Sequence, residues 1–456
     1  MRNVKIVLLT IIVSFSFFTA CSGDESEIID NPVYVIPSEE EEEEDDTVYV
    51  VENSIYKSYT GLVMAGYQGW FNAEGDGAGR GWNHYKNTQC GGFTNSCSSI
   101  DMWPDMSEYQ TKYITPYKNE DGSSTFLYSP NDEQSVDVHF KWMKEHNIDG
   151  VHMQRFLSTI RSETGKRHMN KVLANALKAA KKYGRAISVM YDLSGSSSEQ
   201  VASLEADWNE TVKTFKLYNN IENPTYLWHN EKPMMSIWGV GFGGDSRDYS
   251  IADVDLLVTR LKGADNKVSI MLGVPYSWRT LDRDTENNPA LHDLIKRVDV
   301  IMPWAVGRYS SPNSYNPSYV AQDVVWTEAN GVDYVPLIFP GFTWGNLKRE
   351  PAKFNQIPRL KGEFMWKQIA GAKAGGAKSL YIAMFDEVDE GTAIFKVKRE
   401  NEVPVVEKNA EDDGDEVYKF VGIEEGLESD YYLWLTGQAA NWFHGEGSYS
   451  SVKPVR

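Results

Sequence analysis

Eight short apolar runs, each separated from the next by other sequence patterns, constrain this chain more than any other feature. They lie near 62–70, 150–156, 186–193, 233–240, 268–275, 298–305, 334–341 and 379–386. The runs are continuously apolar rather than alternating, as strands covered on both faces are. Between most of them, residues 132–147, 167–183, 199–218, 251–264, 317–330 and 360–376 place apolar side chains at helical spacing, and 293–299 does so over a shorter span. Strand–helix alternation of this kind predicts an α/β chain folded as a (β/α)8 TIM barrel. A doubly wound open sheet competes, but the strand count is eight and the dinucleotide fingerprint is missing. Residues 71–131 become a long first βα loop, a length usually tied to function. Residues 399–417 read as an acidic excursion and 430–443 as the closing helix.

The flanks divide the chain further. Residues 1–20 have a short basic start and an apolar core, the pattern of a signal peptide. They end at "FFTAC", which resembles a lipoprotein cleavage box and makes Cys21 the expected lipidated residue; an ordinary signal peptide is the other reading. Residues 21–54 form an acidic tether expected to be disordered, with eight consecutive acids from Glu39 to Asp46. A lipid-anchored acidic tether resembles the surface lipoproteins of Bacteroidetes. The expected location is therefore a bacterial outer membrane or cell surface, with the lipid as the only membrane contact. Residues 55–456 form the expected barrel domain. The formal net charge of −20 argues against nucleic acid. Cys90 and Cys97 sit in a Gly- and Asn-rich loop, where a local disulfide is expected in an oxidising compartment and two free thiols are the alternative. The eight histidines are scattered without metal-ligand spacing, so no metal and no cofactor is expected. Nothing in the sequence specifies a protein partner.

In such barrels the functional residues stand at the C-terminal strand ends. Those ends carry Gln68, Trp70 and Phe71; Gln154 and Arg155; Tyr191 and Asp192; Trp238; Tyr276 and Trp278; Trp304 and Arg308; Phe342 and Trp344. The eighth ends in Asp386, Glu387, Asp389 and Glu390. His84 and His152 are expected at or near the mouth. Carboxylates ringed by aromatics describe a carbohydrate site, where flat rings stack on sugars and acids cleave glycosidic bonds. Some of these rings are expected only to cap the core. Arg155 is either a substrate contact or an ion-pair partner of Asp192 or Glu387. Asp386 is suited to rim hydrogen bonds and Asp389 to solvent. Glu387 and Glu390, three apart, project to one side of a turn and raise each other's proton affinity, giving one acid and one base.

"EVDEGT", Glu387 to Thr392, resembles the catalytic Glu-x-x-Glu-Gly-Thr segment of glycoside hydrolase family 99, the endo-α-mannosidases, and of the wider 71/99-like group. "AGYQGWF" (65–71), "GWNHY" (81–85), "DMWPDMSEY" (101–109), "DGVHMQRF" (149–156) and "FPGFTWGNL" (339–347) agree in the same order. The resemblance implies a retaining (β/α)8 glycosidase. Glu387 would deprotonate the sugar's own 2-hydroxyl, which attacks the anomeric carbon, and Glu390 would protonate the leaving oxygen. Family members commonly carry Trp-His between the glutamates, where this chain has Val388-Asp389, so sugar and linkage stay open. The alternatives are a glycan-binding lipoprotein without turnover and an exo-acting xylosidase or arabinosidase.

Overall fold

The structure is a computed structural model and describes residues 51–244, 247–263, 267–408 and 417–456. Cys21, the leader and most of the acidic tether lie outside the described residues. Within these, parallel strands alternate with helices in chain order: β1 (Val63–Tyr67), α1 (Glu133–Glu145), β2 (Gly150–Phe156), α2 (Glu163–Tyr183), β3 (Ala186–Asp192) and α3 (Ser198–Phe215). Then follow β4 (Lys232–Trp238), α4 (Ile251–Leu261), β5 (Ser269–Pro275), α5 (Ala290–Ile295), β6 (Val300–Trp304) and α6 (Ser318–Asn330). The last units are β7, in two pieces (Asp333–Tyr334 and Leu337–Ile338), α7 (Glu363–Ala374), β8 (Leu380–Ile382) and α8 (Tyr431–His444).

Each strand from β1 to β6 pairs in parallel with the next. The first piece of β7 pairs with β6 and the second with β8, and β8 pairs with β1. Pro336 stands between the pieces and has no amide hydrogen to donate; its carbonyl accepts from the Tyr381 amide at 3.1 Å. The ladder therefore runs around the ring, and the fold is a (β/α)8 TIM barrel.

Both faces of the strands are buried, which explains why the runs read as unbroken apolar sequence. Met64, Met190, Met234, Met271 and Met302 fill the interior, while Val63, Val189, Met235, Ile270 and Ile301 pack outward under the helices. Flexible thioethers suit an interior of irregular shape. Helix starts are fixed locally: Ser197 with Gln200 and Ser250 with Asp253 form capping boxes on α3 and α4.

Two boundaries differ from the sequence reading. Ser54, placed in the tether, is buried, and its hydroxyl donates to the Tyr226 carbonyl at 3.1 Å. The eighth strand stops at Ile382 rather than near 386. The chain then folds back on itself, with Phe385 N on the Gly66 carbonyl at 2.8 Å and Ile394 N on the Met384 carbonyl at 3.0 Å. The first βα loop contains a hairpin (Tyr113–Lys118 with Ser124–Leu127) and the Cys90–Cys97 disulfide, with Cα atoms 5.6 Å apart.

Candidate active site

The acid cluster sits on the fold-back after β8. Thr392 N and Ala393 N both donate to the Glu387 carbonyl at 3.1 Å, closing a tight turn that lifts Glu390 beside Glu387. Gly391 makes the turn possible. Its φ is +60°, and a Cβ there would lie 2.1 Å from Thr343 Cγ2. Thr343 therefore approaches closely enough to donate its amide to the Glu390 carbonyl at 3.0 Å. On the other side, the amides of Asp101 and Met102 donate to the Val388 carbonyl at 3.0 and 3.1 Å.

The four acids have different surroundings. Asp386 is fully buried and accepts from the amides of Gln68 (2.7 Å) and Gly69 (2.9 Å), so it fixes the end of β1. Burial pushes its carboxyl up to about 7 against the pull of those amides. Glu387 is 4% exposed. Gln68 Nε2 donates to one of its oxygens and the Thr392 hydroxyl to the other, both at 2.5 Å. Burial first, then the charges of Glu390 and Asp389, raise its proton affinity, and these two donors oppose the rise. Glu390 is partly exposed, and no hydrogen-bond donor is held on its carboxyl among the described residues. Burial and then Asp389 push it up to about 7, opposed by Lys348. Two coupled carboxyls in one low-dielectric site share their protons. The donors on Glu387 favour its anion, while burial raises the proton affinity of both carboxyls.

Asp389 is not solvated as expected. It is 3% exposed, with one oxygen 3.2 Å from His84 Nδ1 and the other buried without a partner. His84 in turn lies flat on Trp70, with ring centroids 3.9 Å apart and planes 8° apart, and Trp70 stacks on Phe156 at 5.0 Å. Phe71 is fully buried beside this stack, edge-on to Trp70.

Across the mouth stand the aromatic residues. Trp238 and Trp304 are half-buried and meet edge to face at 5.1 Å. Trp238 leans across β5 because Gly273 leaves room; a Cβ there would lie 2.4 Å from Trp238 Cδ1. Tyr276 is half-buried and stacks on Tyr319 at 5.1 Å. Asp192 accepts from Ser194 N at 2.7 Å, and burial pushes it up to about 6. Phe342 is buried against the partly exposed Trp344, 4.9 Å away. Arg308 is exposed and pairs with Asp284 at 2.7 Å.

Several expected site residues face elsewhere. Arg155 points outward and pairs with Asp207 on α3 at 2.6 Å, not with Asp192 or Glu387. Tyr191 also points outward and donates to Asp207 at 2.7 Å. Both follow from strand alternation: their neighbours Gln154, Met190 and Asp192 take the inward positions. Trp278 is fully buried against Trp326 of α6 at 4.8 Å, a core residue rather than a platform. Gln154 is buried inside the barrel, donating to Tyr381 Oη at 3.0 Å, and forms floor rather than wall. His152 is also inside, bonded to Ser188 at 2.7 Å, with its basicity lowered to about 3 by burial.

Asp101 was not singled out from the sequence. It is fully buried and accepts from the Thr343 hydroxyl (2.5 Å), Gly345 N (2.8 Å) and Asn346 N (2.7 Å). It thus binds the first loop to the loop after β7. Asn87 adds to this link, donating to the carbonyls of Asn346 (2.8 Å) and Leu347 (3.0 Å). Asp101 opens the "DMWPDMSEY" stretch, yet it lies within a loop, where strand-end reasoning does not look.

The fold has solved counterparts. A GH99 endo-α-mannosidase from Bacteroides thetaiotaomicron superposes with a TM-score of 0.58 at 16% identity, covering 85% of this chain and 99% of that one. The same enzyme with bis-tris-propane bound gives 0.56 at 16% identity, covering 84% and 98%. No protein-family model and no curated protein matches the sequence. At this identity the likeness establishes the fold.

Proposed function

We propose that this chain is a retaining glycoside hydrolase acting on an oligo- or polysaccharide, with Glu387 as base and Glu390 as acid. The observation that carries the reading is the unequal support of the two carboxyls. Glu387 is held by two donors that favour its anion, whereas Glu390 has none among the described residues; burial raises the proton affinity of both. One group is suited to take a proton from a sugar hydroxyl and the other to give one to a leaving oxygen. The "EVDEGT" motif and the barrel's likeness to two endo-α-mannosidase structures support the reading. Asp389, paired to His84, stands where the resembled family commonly carries His, so the sugar need not be mannose. Trp238 and Trp304 offer apolar faces across from the acids.

The test is reducing-end release from a panel of mannans, glucans, xylans, arabinans and acidic polysaccharides. Wild type is expected to release sugar from at least one. Glu390→Gln keeps size but cannot supply a proton, so turnover is expected to fall by about 10² to 10⁴-fold. Substrates with activated leaving groups should suffer less. A wild-type protein that binds a glycan and cleaves none is a binding module on a barrel scaffold. We also propose lipid anchoring through Cys21 at a bacterial surface, supported by the sequence before and after it. Mass spectrometry of membrane-extracted protein checks this; a mature start elsewhere, without lipid, rejects it.

A further inference from the structure

Trp344 is not the open sugar platform its position suggests. Lys348 Nζ lies 4.6 Å and Lys353 Nζ 4.7 Å from its ring centroid. Its indole N–H donates to Gln356 at 2.6 Å. The ring is engaged as a holder of ammonium groups, an arrangement favoured by its quadrupole. The holder is itself fixed. Asp101 accepts from Thr343, Gly345 and Asn346 on the same loop, and Asn355 N donates to the Thr343 hydroxyl at 2.9 Å. Lys348 N donates to the Trp344 carbonyl at 3.0 Å. Since Thr343 N is bonded to the Glu390 carbonyl, this cationic loop is joined directly to the turn that carries Glu390.

Two like charges gathered on one ring repel, and ion pairing among the described residues offsets them only in part. Lys353 has Glu350 at 3.2 Å, whose side chain is 55% exposed. Lys348 has no carboxylate in ion-pair contact among the described residues, although the chain as a whole carries −20. The field of Lys348 reaches Glu390 and opposes its raised proton affinity. Neutral sugars need no such pair. A carboxylate or sulfate ester does, since charge-assisted hydrogen bonds to an anion are about twice as strong as neutral ones.

We infer that Lys348 and Lys353, held on Trp344 in the loop bonded to the Glu390 turn, form a subsite for an anionic sugar residue, a uronate or a sulfate ester. The inference rests on the glycosidase reading for the role of Glu390, but the subsite is defined by its own residues.

The experiment is affinity electrophoresis of the wild-type protein through gels containing polygalacturonate, alginate, a carrageenan, or neutral mannan and xylan. At least one acidic polymer is expected to retard it, with retardation falling as salt is raised. The carboxylate and sulfate polymers separate the two anion types. Lys348→Gln/Lys353→Gln should weaken retention by at least about tenfold, while Lys348→Arg/Lys353→Arg should keep it. No retention by any acidic polymer, or equal retention of the Gln pair, overturns the inference. Reducing ends released only from neutral polymers, unchanged in the Gln pair, would overturn it and leave the glycosidase standing. Lysine-dependent retention with no cleavage of any polymer would uphold the subsite and reject the hydrolase.

Discussion

The two sides of the barrel mouth are built on opposite plans. Around β8 and β1, Asp386, Glu387, Asp389 and Asp101 are all buried, and each is held by named partners. Around β4 to β6, Trp238, Tyr276 and Trp304 are half-buried and held by ring packing. Burying carboxyls this densely is costly, because each loses hydration and repels the next. A site for stacking has no need of it. On the proposed reading, the contrast puts proton transfer on one side and ligand shape on the other.

The comparison can be broken most forcefully at Glu387. Glu387→Gln removes the base, so turnover should fall by about 10² to 10⁴-fold. Activated leaving groups should give no rescue, unlike Glu390→Gln; equal rescue of both would erase the division between them. Thr392→Val should come next. It removes one donor from the Glu387 carboxylate, a bond worth about 1.5–3 kcal/mol. The acid limb of the pH–rate profile should therefore move to higher pH. Trp304→Ala tests the other side. Losing an aromatic contact of about 0.5–1.5 kcal/mol should raise KM by up to about tenfold and leave kcat nearly intact. A fall confined to kcat would place Trp304 in the chemistry instead.

Two smaller effects sharpen the electrostatics. Asp389 raises the proton affinity of Glu390. Asp389→Asn should therefore shift the alkaline limb, where the acid loses its proton, to lower pH. Folding stability should show the same acids. Asp101, Asp386 and Glu390 are raised to about 7 and Asp192 to about 6 in the folded chain. Above about pH 4 the unfolded chain releases these protons while the folded chain keeps them, so stability falls as pH rises toward 7. The thermal midpoint should be higher near pH 5 than near pH 7.5. A midpoint that rises over that interval would mean these carboxyls are ionised in the fold.

The barrel was legible because eight apolar runs and their helical spacers leave few other arrangements. The acid turn was legible because four acids in five positions after a buried strand repel one another, although Asp386 proves to anchor the end of β1. What the sequence hid was phase. Strands apolar on both faces do not show which residues face inward, so Arg155 and Tyr191 read as mouth residues although Asp207 draws them outward. Trp278 was misplaced for a related reason, since a large ring fits a core as well as a rim. Asp101 and Asn87 act across loops distant in sequence, and no spacing rule joins them to their partners. Asp389 read as a surface acid because its partner, His84, lies 305 residues away.

The interrupted seventh strand gives the barrel a seam. Each of its pieces is registered to its neighbour over only two residues, against seven between β2 and β3. Amide protons there should exchange with solvent before those of the opposite wall, because fewer ladder bonds must open together. The loop holding Trp344 and Lys348 hangs from that seam, and through Thr343 it is bonded to Glu390. Breathing of the barrel would therefore be felt first at Glu390, making the weakest stave the natural hinge of the mouth.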